Sequence, residues 1–155
     1  MGVRSVAAAS GQKSLSQAPN MLSGYAARPR GKLLVVEDDL CVREVVELFL
    51  TEKGYACTSS DNALAAIDHL ESDRFDLVVT DLHMPDMDGM ALLERIKARW
   101  PETRVMIITG DTDVKMKNHA IKNGVDSYLT KPFTIDQLFR EVSECISQET
   151  YHDQL

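Results

Sequence analysis

Apolar positions in this chain follow two alternating patterns. From Gly31 onward, short continuous apolar runs alternate with stretches whose apolar residues recur three or four apart. The first run, Lys32-Leu33-Leu34-Val35-Val36, has the length and continuity of a strand buried on both faces. The next stretch places Val42, Val45, Val46, Phe49 and Leu50 on one helical face, and Gly54 stops it. Residues 55–59 read as a weaker strand. Asp61 is expected to cap a helix carrying Ala63, Leu64, Ala66, Ile67 and Leu70.

The unit then recurs. Residues 75–80 predict a strand, and Asp81 follows it at once. Asp88-Gly89 precedes a helix with Leu92, Leu93 and Ile96, which ends near Trp100-Pro101. Residues 105–109 are the fourth strand, 113–122 a helix closed by Gly124, and 125–130 the fifth strand. After Lys131-Pro132, a last helix carries Ile135, Leu138, Phe139, Val142 and Ile146. Five strands alternating with five helices predict an α/β fold, a parallel sheet covered on both faces. Right-handed crossovers leave few topologies for it.

In such sheets ligands bind beyond the carboxyl ends of the strands. The first strand ends on Glu37 and Asp38, with Asp39 behind them; the third ends on Asp81, the fourth on Thr109 and the fifth on Lys131. A parallel sheet brings all of these to one edge. Neighbouring carboxylates repel unless a cation sits among them. Oxygen ligands in an open, hydrated site favour Mg2+. Lysine adds a mobile positive charge for phosphate oxygens, and the threonine hydroxyl one further donor. A nucleophile, a metal and positive charge on the moving oxygens are the parts phosphoryl transfer needs. Singly, an acid at a strand end is a cap or turn residue and Lys-Pro is a turn. Only their joint occurrence in order carries weight.

Composition narrows the picture. The 44% hydrophobic and 26% charged fractions suit a globular domain. The net charge of -7 argues against direct binding to nucleic acid, which needs a basic face. No apolar run is long enough to span a bilayer, and no signal-peptide core is visible, so the cytoplasm is the expected compartment. Cys41, Cys57 and Cys145 form no C-x-x-C pair and are expected to be buried thiols. Residues 1–30 hold Ser, Ala, Gly, Gln and Pro, with Arg4, Lys13, Arg28 and Arg30 but no acid. They are expected to form a disordered tail, followed by one domain at 31–150 and a short tail at 151–155.

Four blocks together resemble one family. Residues 34–39 (LVVEDD), 81–89 (DLHMPDMDG), 107–110 (IITG) and 128–133 (YLTKPF) are similar to the conserved blocks of bacterial two-component response-regulator receiver domains, chiefly the single-domain chemotaxis-type regulators. The resemblance spans about residues 31–149. It implies a doubly wound, flavodoxin-like sheet of five strands in the order 2-1-3-4-5. Asp81 would accept a phosphoryl group from a sensor histidine kinase or histidine phosphotransfer protein. Mg2+ would be held by Asp38, Asp81, the backbone carbonyl of His83 and, mainly through water, Glu37. Thr109 and Lys131 would hold phosphoryl oxygens, Tyr128 would be the aromatic switch, and Lys131-Pro132 would be cis.

The resemblance implies a signalling domain rather than an enzyme, its catalysis confined to taking up and losing its own phosphoryl group. Because the chain stops just after the fifth helix, a stand-alone receiver is expected, with a fragment of a larger regulator or hybrid kinase as the alternative. Its output would be contact with a downstream protein not named by the sequence, as a monomer or a phosphorylation-dependent dimer. His83 and Asp111 lie two residues after Asp81 and Thr109, and are expected at the rim of the site, where they are either solvated or tune phosphoryl loss. Two other classes fit less well. A haloacid-dehalogenase-type phosphatase needs a second Asp where this chain has His83. A flavodoxin-like nucleotide binder needs a Gly-rich first turn where it has Glu37-Asp38-Asp39.

Overall fold

The computed structural model describes residues 28–153, with side chains to residue 147. Its strands are β1 (Lys32–Val36), β2 (Ala56–Ser60), β3 (Leu77–Asp81), β4 (Arg104–Thr109) and β5 (Ser127–Thr130). Its helices are α1 (Leu40–Glu52), α2 (Ala63–Ser72), α3 (Gly89–Arg99), α4 (Val114–Lys122) and α5 (Ile135–Asp153). The strands form one sheet in the order β2-β1-β3-β4-β5, every neighbouring pair parallel.

The period of two along each strand divides the core. Leu34, Val36, Val78, Val105 and Ile107 face one way, against Ala66, Ile67 and Leu70 of α2, Leu92, Leu93 and Ile96 of α3 and Ala120 of α4. Leu33, Val35, Leu77, Val79, Met106 and Ile108 face the other way, against Val46 and Leu50 of α1 and Leu138, Val142 and Cys145 of α5. Burial on both faces explains why the strands read as continuous apolar runs. Register aligns the carboxyl ends: Val36 pairs with Thr80, Thr80 with Ile107, and Thr109 with Thr130.

Several local expectations shift. Asn62, not Asp61, caps α2, accepting from the Ala65 amide at 2.8 Å. β2 runs on to Ser60, so the extended residue next to the helix falls one place later. Val45 and Leu64 are half exposed, at 51% and 52%. On α1 the sheet-facing row is Val42, Val46 and Leu50, four residues apart, and Val45 lies off it. Residues 75–76 and 125–126 lead into β3 and β5 rather than forming part of them. Of the three free thiols only Cys145 is buried; Cys57 is half-buried and Cys41, near the start of α1, is exposed.

Residues 1–27 of the expected N-terminal tail lie outside the described residues, but Arg30 belongs to the folded body. Its amide donates to the Gly54 carbonyl, and its guanidinium lies over the Phe139 ring. At the other end α5 runs to Asp153, through most of the expected short tail. No helix among the described residues is long and apolar enough to cross a membrane.

Candidate functional site

The carboxyl ends of β1, β3, β4 and β5 bring together the residues picked out along the chain. Asp81 is the last residue of β3, its side chain 12% exposed. Its Oδ1 accepts from the His83 amide at 3.2 Å and its Oδ2 from Lys131 Nζ at 2.9 Å. Lys131 follows β5 and also reaches Glu37 Oε2 at 3.2 Å. Glu37, just past β1, is buried, and its Oε1 accepts from the Asp39 amide. Asp38 is exposed beside it. Carboxylate oxygens of Glu37, Asp38 and Asp81 lie within 4.8 Å of one another.

The burial of Glu37 shows in its proton affinity. Burial pushes the Glu37 carboxyl up to about 7, against the Asp39 amide, and the Asp81 charge raises it further while Lys131 opposes. Lys131 stays above its ordinary value: burial works against the ammonium, but Asp81 and Glu37 outweigh it. The lysine is thus the counter-charge of the pocket. The donor set, three carboxylates with one open to solvent, fits a hard divalent cation such as Mg2+.

The backbone holds these groups in place. Asp39 caps α1 through the Val42 amide, and the Arg43 guanidinium donates to the Glu37 carbonyl at 2.7 Å. The Lys131-Pro132 bond is cis, as expected, and the Lys131 amide donates to the Thr109 carbonyl. Gly89 opens α3 directly against β3. A Cβ there would lie 2.2 Å from the Asp81 carbonyl oxygen, so only glycine lets the helix approach this closely. The Asp88-Gly89 pair marked a helix start in the sequence, but nothing in it gave this contact. Arg43 was also missed, since it looks like one more surface charge of α1.

Thr109 is fully buried, and its Oγ1 accepts from the Asp111 amide at 3.1 Å. Tyr128 packs against the core that includes Ala120 of α4, below the Lys117 ammonium. The Tyr128 hydroxyl is enclosed with no hydrogen-bond partner among the described residues. Burial raises its proton affinity, with the charges of Asp111 and Asp113 adding. His83 and Asp111 do lie at the rim, but they are not separately solvated. His83 Nε2 lies 2.7 Å from Asp111 Oδ2.

This geometry can be set beside known proteins. The family model for the response regulator receiver domain matches residues 33–143. The chain is 39% identical over 118 residues to the DNA-binding transcriptional regulator NtrC of Escherichia coli (strain K12), covering 76% of this chain and 25% of that protein. It is 35% identical over 119 residues to the transcriptional regulatory protein FixJ of Bradyrhizobium diazoefficiens, covering 77% and 58%. A solved signal receiver domain of an HD domain-containing protein from Pseudomonas fluorescens Pf-5 superposes with a TM-score of 0.75 at 30% identity, covering 80% of this chain and 98% of that one. The chain therefore spans a quarter to just over half of these curated relatives, and nearly the whole of a receiver domain solved alone.

Proposed function

The chain belongs to the response regulator receiver domain family, and on that premise we propose that it is a phosphorylation-driven signalling switch with Asp81 as the acceptor. The observation that carries this reading is the contact of Asp81 Oδ2 with the Lys131 ammonium inside the acidic cluster. An Asp81 oxygen attacks the phosphorus of a phosphohistidine on a sensor histidine kinase or histidine phosphotransfer protein. The P–N bond breaks and the imidazole leaves with its electron pair. Lys131 moves from the carboxylates onto the phosphoryl oxygens, with the Thr109 hydroxyl as a second donor. Asp38, Asp81, the His83 carbonyl and, through water, Glu37 would hold Mg2+. When bound, the ion neutralises charge on the transferring oxygens.

The switch rests on a balance. The Tyr128 hydroxyl has no hydrogen-bond partner among the described residues to hold the ring where it is, so the ring can turn inwards once space opens. A phosphoryl group that draws Thr109 towards itself makes room beneath α4 and tips the equilibrium by its differential interaction with the two states. The readout surface is then α4, β5 and α5, and the partner a downstream protein, met as a monomer or a phosphorylation-dependent dimer. Its place would be the cytoplasm, without nucleic-acid contacts of its own. The longer curated relatives support a receiver joined to an output module. A phosphatase reading is disfavoured by His83 at the place of a second catalytic acid.

Incubation with a small phosphodonor and Mg2+, followed by intact-mass measurement, tests the proposal. Wild type should gain one phosphoryl group and Asp81→Asn none. No gain by wild type, with small donors and with a cognate kinase, refutes it.

A further inference from the structure

Between α1 and the start of α5 an apolar surface is left open. Cys41, Val45 and Phe49 on the α1 side and Phe133, Ile135 and Leu138 on the α5 side line a groove of about 350 Å³. Val45 and Ile135 are exposed there, as is Leu48, three residues on from Val45. Contiguous apolar surface left open in this way marks a site of contact. None of these side chains has a part in the chemistry proposed for Asp81.

The chain itself arrives at the foot of this groove. Arg30 is fixed between the end of α1 and the second turn of α5. Its amide donates to the Gly54 carbonyl at 2.9 Å, and its guanidinium lies over the Phe139 ring. Gly54 is five residues past Phe49, and Phe139 is next to Leu138, so the entry point adjoins the lining on both sides. Residues 1–27 precede this part of the chain. Within them, Met21, Leu22 and Tyr25 recur one, three and four apart, the spacing of anchors laid into a groove. Eight residues separate Leu22 from Arg30, a reach of about 26 Å when extended. The groove, from Phe49 to Cys41 along α1, is about 12 Å long.

Charge favours the same occupant. Glu44 and Glu52 stand on the side of α1 that carries Cys41, Val45 and Leu48, and Asp136 follows Ile135; all three acids are exposed. Residues 1–30 hold Arg4, Lys13, Arg28 and Arg30 and no acid. A second copy of the folded body would instead set these acids against their own kind.

We infer that residues 19–27 of this chain occupy the groove between α1 and α5, running from Arg30 towards Cys41 with Met21, Leu22 and Tyr25 against its apolar lining. Lys13 and Arg28, on either side of these anchors, meet the acids at its edge. The contact is made within one chain, and it covers the Cys41 thiol.

Cys41 supplies the experiment. The full chain is treated with iodoacetamide, and labelling of each cysteine is followed by peptide mass mapping. Three proteins are compared: wild type, a variant carrying Leu22→Glu and Tyr25→Glu, and Val6→Glu as a control in the same segment but outside residues 19–27. The buried Cys145 reports whether the fold is intact. Cys41 should label about tenfold faster in the Leu22→Glu, Tyr25→Glu variant than in wild type, the protection of a contact made about nine-tenths of the time. Cys145 should label at one slow rate in all three, and Val6→Glu should match wild type at Cys41. Wild-type protection should be the same at low and high protein concentration. Equal Cys41 rates in wild type and the Leu22→Glu, Tyr25→Glu variant, or an equal rise with Val6→Glu, overturn the inference. Protection that grows with protein concentration puts a second copy in the groove and overturns it as well.

Discussion

The Lys131 ammonium lies 2.9 Å from Asp81 Oδ2 and 3.2 Å from Glu37 Oε2, tying the ends of β5, β3 and β1 through one positive charge. Removing it leaves crowded carboxylates with no counter-charge. Lys131→Met should therefore lower stability without Mg2+ by about 1–3 kcal/mol, less than for a fully buried pair because the lysine is 27% exposed. Mg2+ should bind the variant more tightly than wild type, since it no longer competes with an ammonium. Denaturant melts and calorimetric titration with Mg2+ check both.

Glu37 gives the pocket a pH dependence of defined sign. Its carboxyl is raised from 4.5 to about 7, chiefly by burial. Between these values the folded protein holds a proton that the unfolded chain has released, so this group's contribution to stability is full below pH 4.5 and is lost as pH rises towards 7. Without Mg2+, wild type should lose more melting temperature from pH 5 to 7.5 than Glu37→Gln does. Saturating Mg2+ should narrow the difference, because the metal binds the ionised carboxylate. Equal slopes for the two proteins would contradict the assignment.

The two glycines that flank the site should differ. Gly89→Ala forces a methyl to 2.2 Å from the Asp81 carbonyl oxygen, a clash with backbone that cannot turn away. It should cost about 2–4 kcal/mol and slow phosphoryl uptake by shifting Asp81. Gly110→Ala meets nothing within 4 Å and should change stability by about 0.5 kcal/mol or less. Parallel urea melts distinguish them.

What the sequence made legible was whatever depends on strand order and the doubly buried sheet. Leu33 to Val36 and Val105 to Ile108 have no polar face, so they could only be interior strands. Once the strands are parallel, Glu37, Asp81, Thr109 and Lys131 must share an edge, and they do. The rest depends on side-chain directions that spacing alone does not carry. Asp61 and Asn62 are equally good capping residues, and only the end of β2 decides between them. Val45 and Leu64 satisfy the helical period yet sit at the edge of the stripe, where about a quarter of a turn sends them to solvent. Cys41 falls on the solvent side of α1 for the same reason. His83 and Asp111 lie 28 positions apart, and their pairing follows from how two loops fold over one edge.

The central claim is that Asp81 carries the phosphoryl group. The most direct measurement is reductive trapping: the loaded protein is treated with borohydride, which converts an acyl phosphate on aspartate to homoserine, and the peptides are sequenced by mass spectrometry. The account predicts homoserine at position 81 in wild type and at no other position, with none formed without donor. Homoserine at Asp38 or another acid, or a phosphoryl group that survives on Asp81→Asn, would contradict it.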